Sequence, residues 1–258
     1  MNGPHAAAAA REPMPLRDPV AEGARLARAA AQADLALRLT GGVAIAVACP
    51  SSRQPPLGRD YGDIDLAGRR SDTKAIVALL TALGYRADVH FNTLQGERRL
   101  LFWDTANDRQ LDVFLDVFEM CHRIELTDRL AAPGPTIPLA DLLLTKLQIV
   151  EANAKDLTDI VTLLVDHDLT DDAAGIELPY IARLCRDDWG LWRTTTMVIE
   201  RARAHATALA TPAQRERAHA QVVALLERLE REPKSRRWRL RARVGDRARW
   251  YEQPESAH

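Results

Sequence analysis

Residues 61–68 read YGDIDLAG, with Asp63 and Asp65 one residue apart inside a short apolar run. In an extended chain alternate side chains share a face, so Asp63 and Asp65 project together while Ile64 and Leu66 point into a core. Two carboxylates held that close repel each other, and a divalent cation between them is the simplest relief. A strand ending in solvent would tolerate the same pair, so the rest of the chain has to decide. A second apolar stretch, RQLDVFLDVF (109–118), sets Asp112 and Asp116 on one face of another strand. A carboxylate in so apolar a strand is costly unless it is paired or metal-bound. Either could be a third ligand. Spacing alone does not choose, but Asp112 is favoured because it lies nearer the strand's start and repeats the apolar-Asp-apolar pattern.

Upstream, LTGGVAIA (39–46) places Gly41 and Gly42 between a short apolar strand and a helix. Glycines there let backbone approach a ligand closely, and a helix N-terminus offers free N–H groups to phosphate. The P-loop lysine and the GxGxxG spacing are both missing, so neither of those nucleotide sites is indicated.

Around these motifs the pattern is mixed. Helical spacing predicts a helix from Val20 to about Asp34 and another from a cap at Ser71 or Asp72 to near Gly84. YRADVHF, RRLLFWD and RQLDVFLDVF read as three strands separated by the turns NTLQGE and TANDR. From Pro138 onward the spacing is helical, and no strand signal is found past about residue 126. The expected fold class is α+β: residues 1–18 form a frayed tail, 19–130 a small mixed-sheet α/β domain and 136–258 a helical domain, with AAPGPTIP as the linker.

The 258 residues are 47% hydrophobic and 28% charged with a formal net charge of −1, which suits a globular protein and not a strongly basic nucleic-acid binder. Three cysteines, far apart and without a CxxC pair, suggest neither a zinc ribbon nor a disulfide framework, and a reducing cytoplasm is expected. No membrane span or signal peptide is read, because the longest apolar tract falls short of the roughly 20 residues a span needs.

Taken together, Gly41-Gly42, Asp63-Ile64-Asp65 and Asp112 resemble, in order, the pattern of the nucleotidyltransferase superfamily that includes DNA polymerase β. The gap between Gly42 and Asp63 is long, with SSRQPP standing as an insertion. The stretch DLLLTKLQIVEANAKDLTDIVTLL is similar to the helix pair of AbiEii-type bacterial nucleotidyltransferases, with Lys146, Lys155, Asp156 and Asp159 at the matching positions. The likeness covers roughly residues 35–168. It implies an NTP substrate and two Mg²⁺ ions held by Asp63, Asp65 and Asp112. It also implies that Gly41, Gly42, Lys155, Asp156 and Asp159 serve nucleotide binding, that Lys146 reaches the phosphates, and that a cognate antitoxin is a possible partner. Read without the resemblance, Lys146 is an exposed helix lysine, and Asp156 and Asp159 cap a helix or pair with Lys155. Ser51, Ser52 and Arg53 fit a solvated loop better than a phosphate contact. A phosphatase of the haloacid dehalogenase type also uses Asp-x-Asp, but it wants Thr or Val where Ala67 stands.

Residues 234–251, KSRRWRLRARVGDRARWY, carry eight basic residues against one acid, interleaved with Trp238, Trp250 and Tyr251. Such a segment could hold RNA by phosphate neutralisation and stacking. Tryptophans at near-helical spacing more often pack on the body, and the same holds for Trp189 and Trp192. His90, His122 and His167 have no partner at metal-ligand spacing and read as structural.

Overall fold

The computed structural model describes residues 14–253. It is an α+β fold, as expected. Helix α1 (Pro19–Gln32) starts with Asp18 accepting from the Val20 and Ala21 N–H groups and with proline at its first position. Of the expected 1–18 tail, residues 1–13 lie outside the described residues. Residues 15–17 are tied down: Arg109 donates to the Leu16 and Arg17 carbonyls, and Asn107 to that of Pro15.

Strand β1 (Arg38–Thr40) runs straight into α2 (Gly41–Ala48). Then follow β2 (Ile64–Gly68), α3 (Thr73–Ala82), β3 (Arg86–Ala87), α4 (Val89–Gln95), β4 (Arg99–Asp104) and β5 (Arg109–Leu115). The five strands make one sheet in the order β1-β2-β5-β4-β3, with β2 and β5 parallel and the other pairs antiparallel. Leu111, Val113 and Leu115 of β5 and Leu100 and Phe102 of β4 are buried in the core, while Gln110, Phe114, Arg99 and Leu101 between them are only partly covered. This alternation gives the sheet one apolar face and one that can line a cleft.

Two expectations here need correction. YRADVHF is a strand only at Arg86–Ala87; Asp88 then accepts from the Phe91 N–H and opens α4, which continues to Gln95, through most of the predicted turn. RQLDVFLDVF is not one strand, because Asp116 adopts φ +62 and breaks it from β6 (Val117–Glu119), which pairs with β7 (Arg123–Glu125).

The predicted linker also does more than connect. Leu39 donates to the Pro135 carbonyl and accepts from the Ile137 N–H, so residues 135–137 pair with the outer edge of β1. Helix α5 (Leu139–Leu147) follows from Pro138, and α6 (Ala154–Asp166) begins with a reciprocal Asn153–Asp156 capping box. A two-residue parallel pair, β8 (Leu169–Thr170) with β9 (Ile176–Glu177), interrupts the all-helical expectation before α7 (Leu178–Asp187), α8 (Trp189–Leu209), α9 (Pro212–Arg231) and α10 (Arg236–Val244). One apolar cluster joins the halves, from Leu26 and Ile45 through Leu111 to Leu144, Ile160 and Leu229. Among the described residues no helix is long and apolar enough to cross a membrane.

Candidate active site

The register of the sheet puts Thr40 opposite Asp65, and Asp65 opposite Asp112, on three neighbouring strands. Asp63 stands exposed just before β2. All three aspartates line a cleft of about 1010 Å³, together with Gly41, Lys146, Asn153 and Asp156. A second hollow of about 660 Å³, between Arg17 and the β4–β5 turn, includes none of the three carboxylates.

Gly41 has φ +66, and a Cβ on it would come within 2.1 Å of Asp65 Oδ2. The glycine therefore does two things: it takes a left-handed conformation and leaves room for a carboxylate against the N-terminus of α2. Burial, then the nearby charge of Asp112, push the Asp65 carboxyl up to about 7, with Asp63 adding to the rise and Lys146 and Arg99 opposing it. Gly42 serves a different neighbour. A Cβ there would meet the Arg59 guanidinium at 2.4 Å and the Tyr61 ring at 3.1 Å.

Asp112 is buried, and both its oxygens are engaged: Oδ1 accepts from Arg99 Nε at 2.7 Å and Oδ2 from Gln110 Nε2 at 2.7 Å. Asp116 is set apart. Its carboxylate accepts from the Arg70 N–H at 3.2 Å at the cleft margin, beyond the strand kink. Asp112, not Asp116, thus stands beside Asp65.

Lys146 Nζ lies 2.9 Å from Asp156 Oδ1 and 3.0 Å from Asp159 Oδ2. Burial works against its ammonium, but Asp159 and Asp156 outweigh that and hold its pKa above the ordinary lysine value. Far from being an exposed helix lysine, it is a fixed charge near Asp65. Asp156 both caps α6 and pairs with Lys146. Asp159 lies behind Lys146, gripped by Arg59 through Nε at 2.8 Å and a terminal nitrogen at 2.7 Å. Lys155 stands exposed on the first turn of α6, outside the residues that line the cleft. The pairing partner of these acids is therefore Lys146 instead of Lys155.

Sequence reasoning passed over Arg59 and Arg99. Arg99 directly follows Arg98 at the head of a strand, and it reaches Asp112 diagonally from its place opposite Phe114, a pairing that no local pattern announces. Arg59 sits in a proline-rich loop with no local pattern. The loop before it is structural. Ser51 donates its N–H and its hydroxyl to Asp166, Ser52 its hydroxyl to the Cys49 carbonyl, and Arg53 its guanidinium to the Ala46 carbonyl.

The cleft brings together the hard oxygen donors of Asp63, Asp65 and Asp112, a raised carboxyl whose repulsion a cation would relieve, and a glycine cradle beside it. Among the described residues no group of three or more acidic, histidine or cysteine side chains is placed so that it could hold a metal ion. Cation binding would require these side chains to draw closer, with Asp112 entering the site while both its oxygens already accept hydrogen bonds. The donor set suits Mg²⁺ in chemistry, since few protein carboxylates and several waters or phosphates are its usual ligands.

In the C-terminal segment Trp238 packs edge-on against Trp192 and Trp250 against Trp189, with ring centroids 5.2 and 6.0 Å apart. Arg241 lies over the Trp189 ring at 4.6 Å. The Trp250 indole N–H donates to Thr194 Oγ1, which lies 2.8 Å from His122 Nε2. The tryptophans thus belong to the body, while Arg236, Arg237, Arg239 and Arg243 face outward. No protein-family model matches the chain, and no curated protein sequence matches it.

Proposed function

We propose that the protein is a Mg²⁺-dependent nucleotidyltransferase that moves a nucleoside monophosphate from an NTP to an acceptor hydroxyl. The observation that carries this reading is the in-register pairing of Asp65 with Asp112 across parallel strands, with the Gly41 turn pressed against Asp65. The single parallel pair in an otherwise antiparallel sheet weighs against a haloacid dehalogenase-type phosphatase, which needs a long parallel sheet.

Asp63, Asp65 and Asp112 would hold Mg²⁺, which when bound neutralises charge on the triphosphate and on the attacking and leaving oxygens. The backbone N–H groups at the start of α2 would meet the phosphates, and Lys146, held by Asp156 and Asp159, would add a fixed positive charge to them. The acceptor oxygen bonds to the α-phosphorus, the bond to the β-phosphate bridging oxygen breaks, pyrophosphate leaves, and the hydroxyl proton passes to a cleft carboxylate. Asp112, farther from the glycine turn, is best placed for that proton.

The test is incubation of the full chain with each α-labelled NTP, Mg²⁺ and total RNA, or with small hydroxylated acceptors. Label on an acceptor, lost in Asp63→Ala, supports the reading. NTP binding without transfer, unchanged in Asp63→Ala, would leave a nucleotide-binding module and overturn it.

A further inference from the structure

The register ladder gives the cleft two ends. Thr40, Asp65, Asp112 and Leu101 follow one another across four strands, so the glycine turn lies to one side of the carboxylates and β4 to the other. On the β4 side the cleft changes character. Phe114 sits on the same face of β5 as Asp112, about 7 Å along the strand, and its strand partner is Arg99. Phe91 reaches in from α4. The Arg99 guanidinium lies 5.3 Å from the Phe114 ring centroid and 5.8 Å from that of Phe91. Arg98 and Arg123 stand exposed on the rim, each 3.9 Å from Glu119; Arg123 also donates through Nε to Glu125 at 2.7 Å, and all three pairs are solvent-exposed and worth little.

We propose that this end of the cleft, with its rings Phe91 and Phe114 and its arginines Arg98, Arg99 and Arg123, seats the acceptor and that the acceptor is the end of a single-stranded nucleic acid. The inference rests on the transferase reading. Two aromatic rings with guanidinium ions beside them match one nucleobase and its flanking phosphates, and Phe114 is itself braced by Phe118, ring centroids 4.7 Å apart. Duplex bases are already stacked and would not enter. The distance from Phe114 to Asp112 lets the terminal sugar of a base stacked on the ring reach the carboxylates. The outward arginines of α10 are a separate surface, and the proposal does not draw on them.

The experiment measures fluorescence anisotropy of a 5′-labelled single-stranded ribo-oligonucleotide of about 12 residues, its deoxy counterpart and a matched duplex with the full-length protein across a salt series. Single strands are expected to bind, and the duplex much more weakly. Phe91→Leu and Phe114→Leu are each expected to weaken binding by on the order of tenfold. Arg98→Ala and Arg123→Ala lie on the exposed rim, so they test the site even if the core-side variants fold poorly; each is expected to flatten the salt dependence. Equal duplex binding, no binding, or binding abolished by Arg237→Ala with Arg239→Ala but untouched by the Phe91, Phe114, Arg98 and Arg123 variants would each overturn the proposal. NTP binding is measured in parallel by calorimetry. Transfer to small acceptors without oligonucleotide binding sinks this inference alone. Oligonucleotide binding lost in the Phe91, Phe114, Arg98 and Arg123 variants, without any NTP binding, sinks the transferase reading and with it the acceptor role, leaving a single-strand binding site.

Discussion

Arg59 and Lys146 share one carboxylate: Asp159 takes two bonds from the Arg59 guanidinium and a third contact from the Lys146 ammonium. The loop that leads into Asp63 is thereby fastened to α6, and the acid that holds Lys146 is braced by a residue from the other half of the chain. Arg59→Met should therefore leave a buried acid underpaired. We expect a loss of about 3 kcal/mol in urea unfolding. Adding Asp159→Leu should cost less than the sum of the two single changes. Additive losses would mean that the two side chains do not act as a unit.

Asp65 makes the metal-free fold pH-sensitive. Its folded pKa, near 7, lies above the unfolded value of about 4. The folded state therefore binds this proton more tightly than the unfolded one, so the penalty is absent below about pH 4, grows between pH 4 and 7, and stays constant above. Asp65→Asn should raise metal-free stability at pH 8 by about 2 kcal/mol and abolish transfer. Melting temperatures across pH 4 to 8 check this: the gain should vanish at the acid end, and an equal gain at every pH would refute the assignment.

The two glycines are not equivalent. Gly41→Ala forces a Cβ onto Asp65 at a left-handed backbone, with backbone strain of about 1 kcal/mol before the clash is counted. It should weaken NTP binding as well. Gly42→Ala carries no left-handed backbone strain, but its Cβ meets the Arg59 guanidinium that grips Asp159, so its cost should appear in stability through that ion pair and less in NTP binding. Thermal denaturation and nucleotide titration of both variants would settle the order.

Between the two aspartates of β5 and its kink, transfer should separate sharply. Asp112→Asn should reduce turnover by on the order of a thousandfold. Asp116→Asn keeps a side chain that tolerates positive φ and can still accept from the Arg70 N–H, so turnover within a few-fold of wild type is expected. The reverse result in a labelled-NTP assay would move the third carboxylate to Asp116.

Local pattern revealed the α/β-then-helical order, the Asp63–Asp65 pair that the structure sets in one cleft, and the Gly-Gly entry to a helix. These depend on periods of two and 3.6 and on neighbours in sequence. It misread residues 89–95 because Val89 and Phe91 continue the alternation of Tyr85 and Ala87. Asp88 as a cap was the competing signal, and it won because the helix closes over Leu101, with Asn92 bonding that residue's backbone at both N–H and carbonyl. The kink at Asp116 and the Arg59–Asp159 grip depend on partners 46 and 100 residues away, which no window can see.

The pairing of residues 135–137 with β1 has a further consequence for how the chain can be divided. β1 is three residues long, and its outer side would be an open row of peptide groups without that segment. An α/β half cut off near residue 130 would carry this bare border and offer it to another copy of itself. The segment that joins the two halves therefore also acts as a guard against self-association, a duty unconnected with chemistry in the cleft.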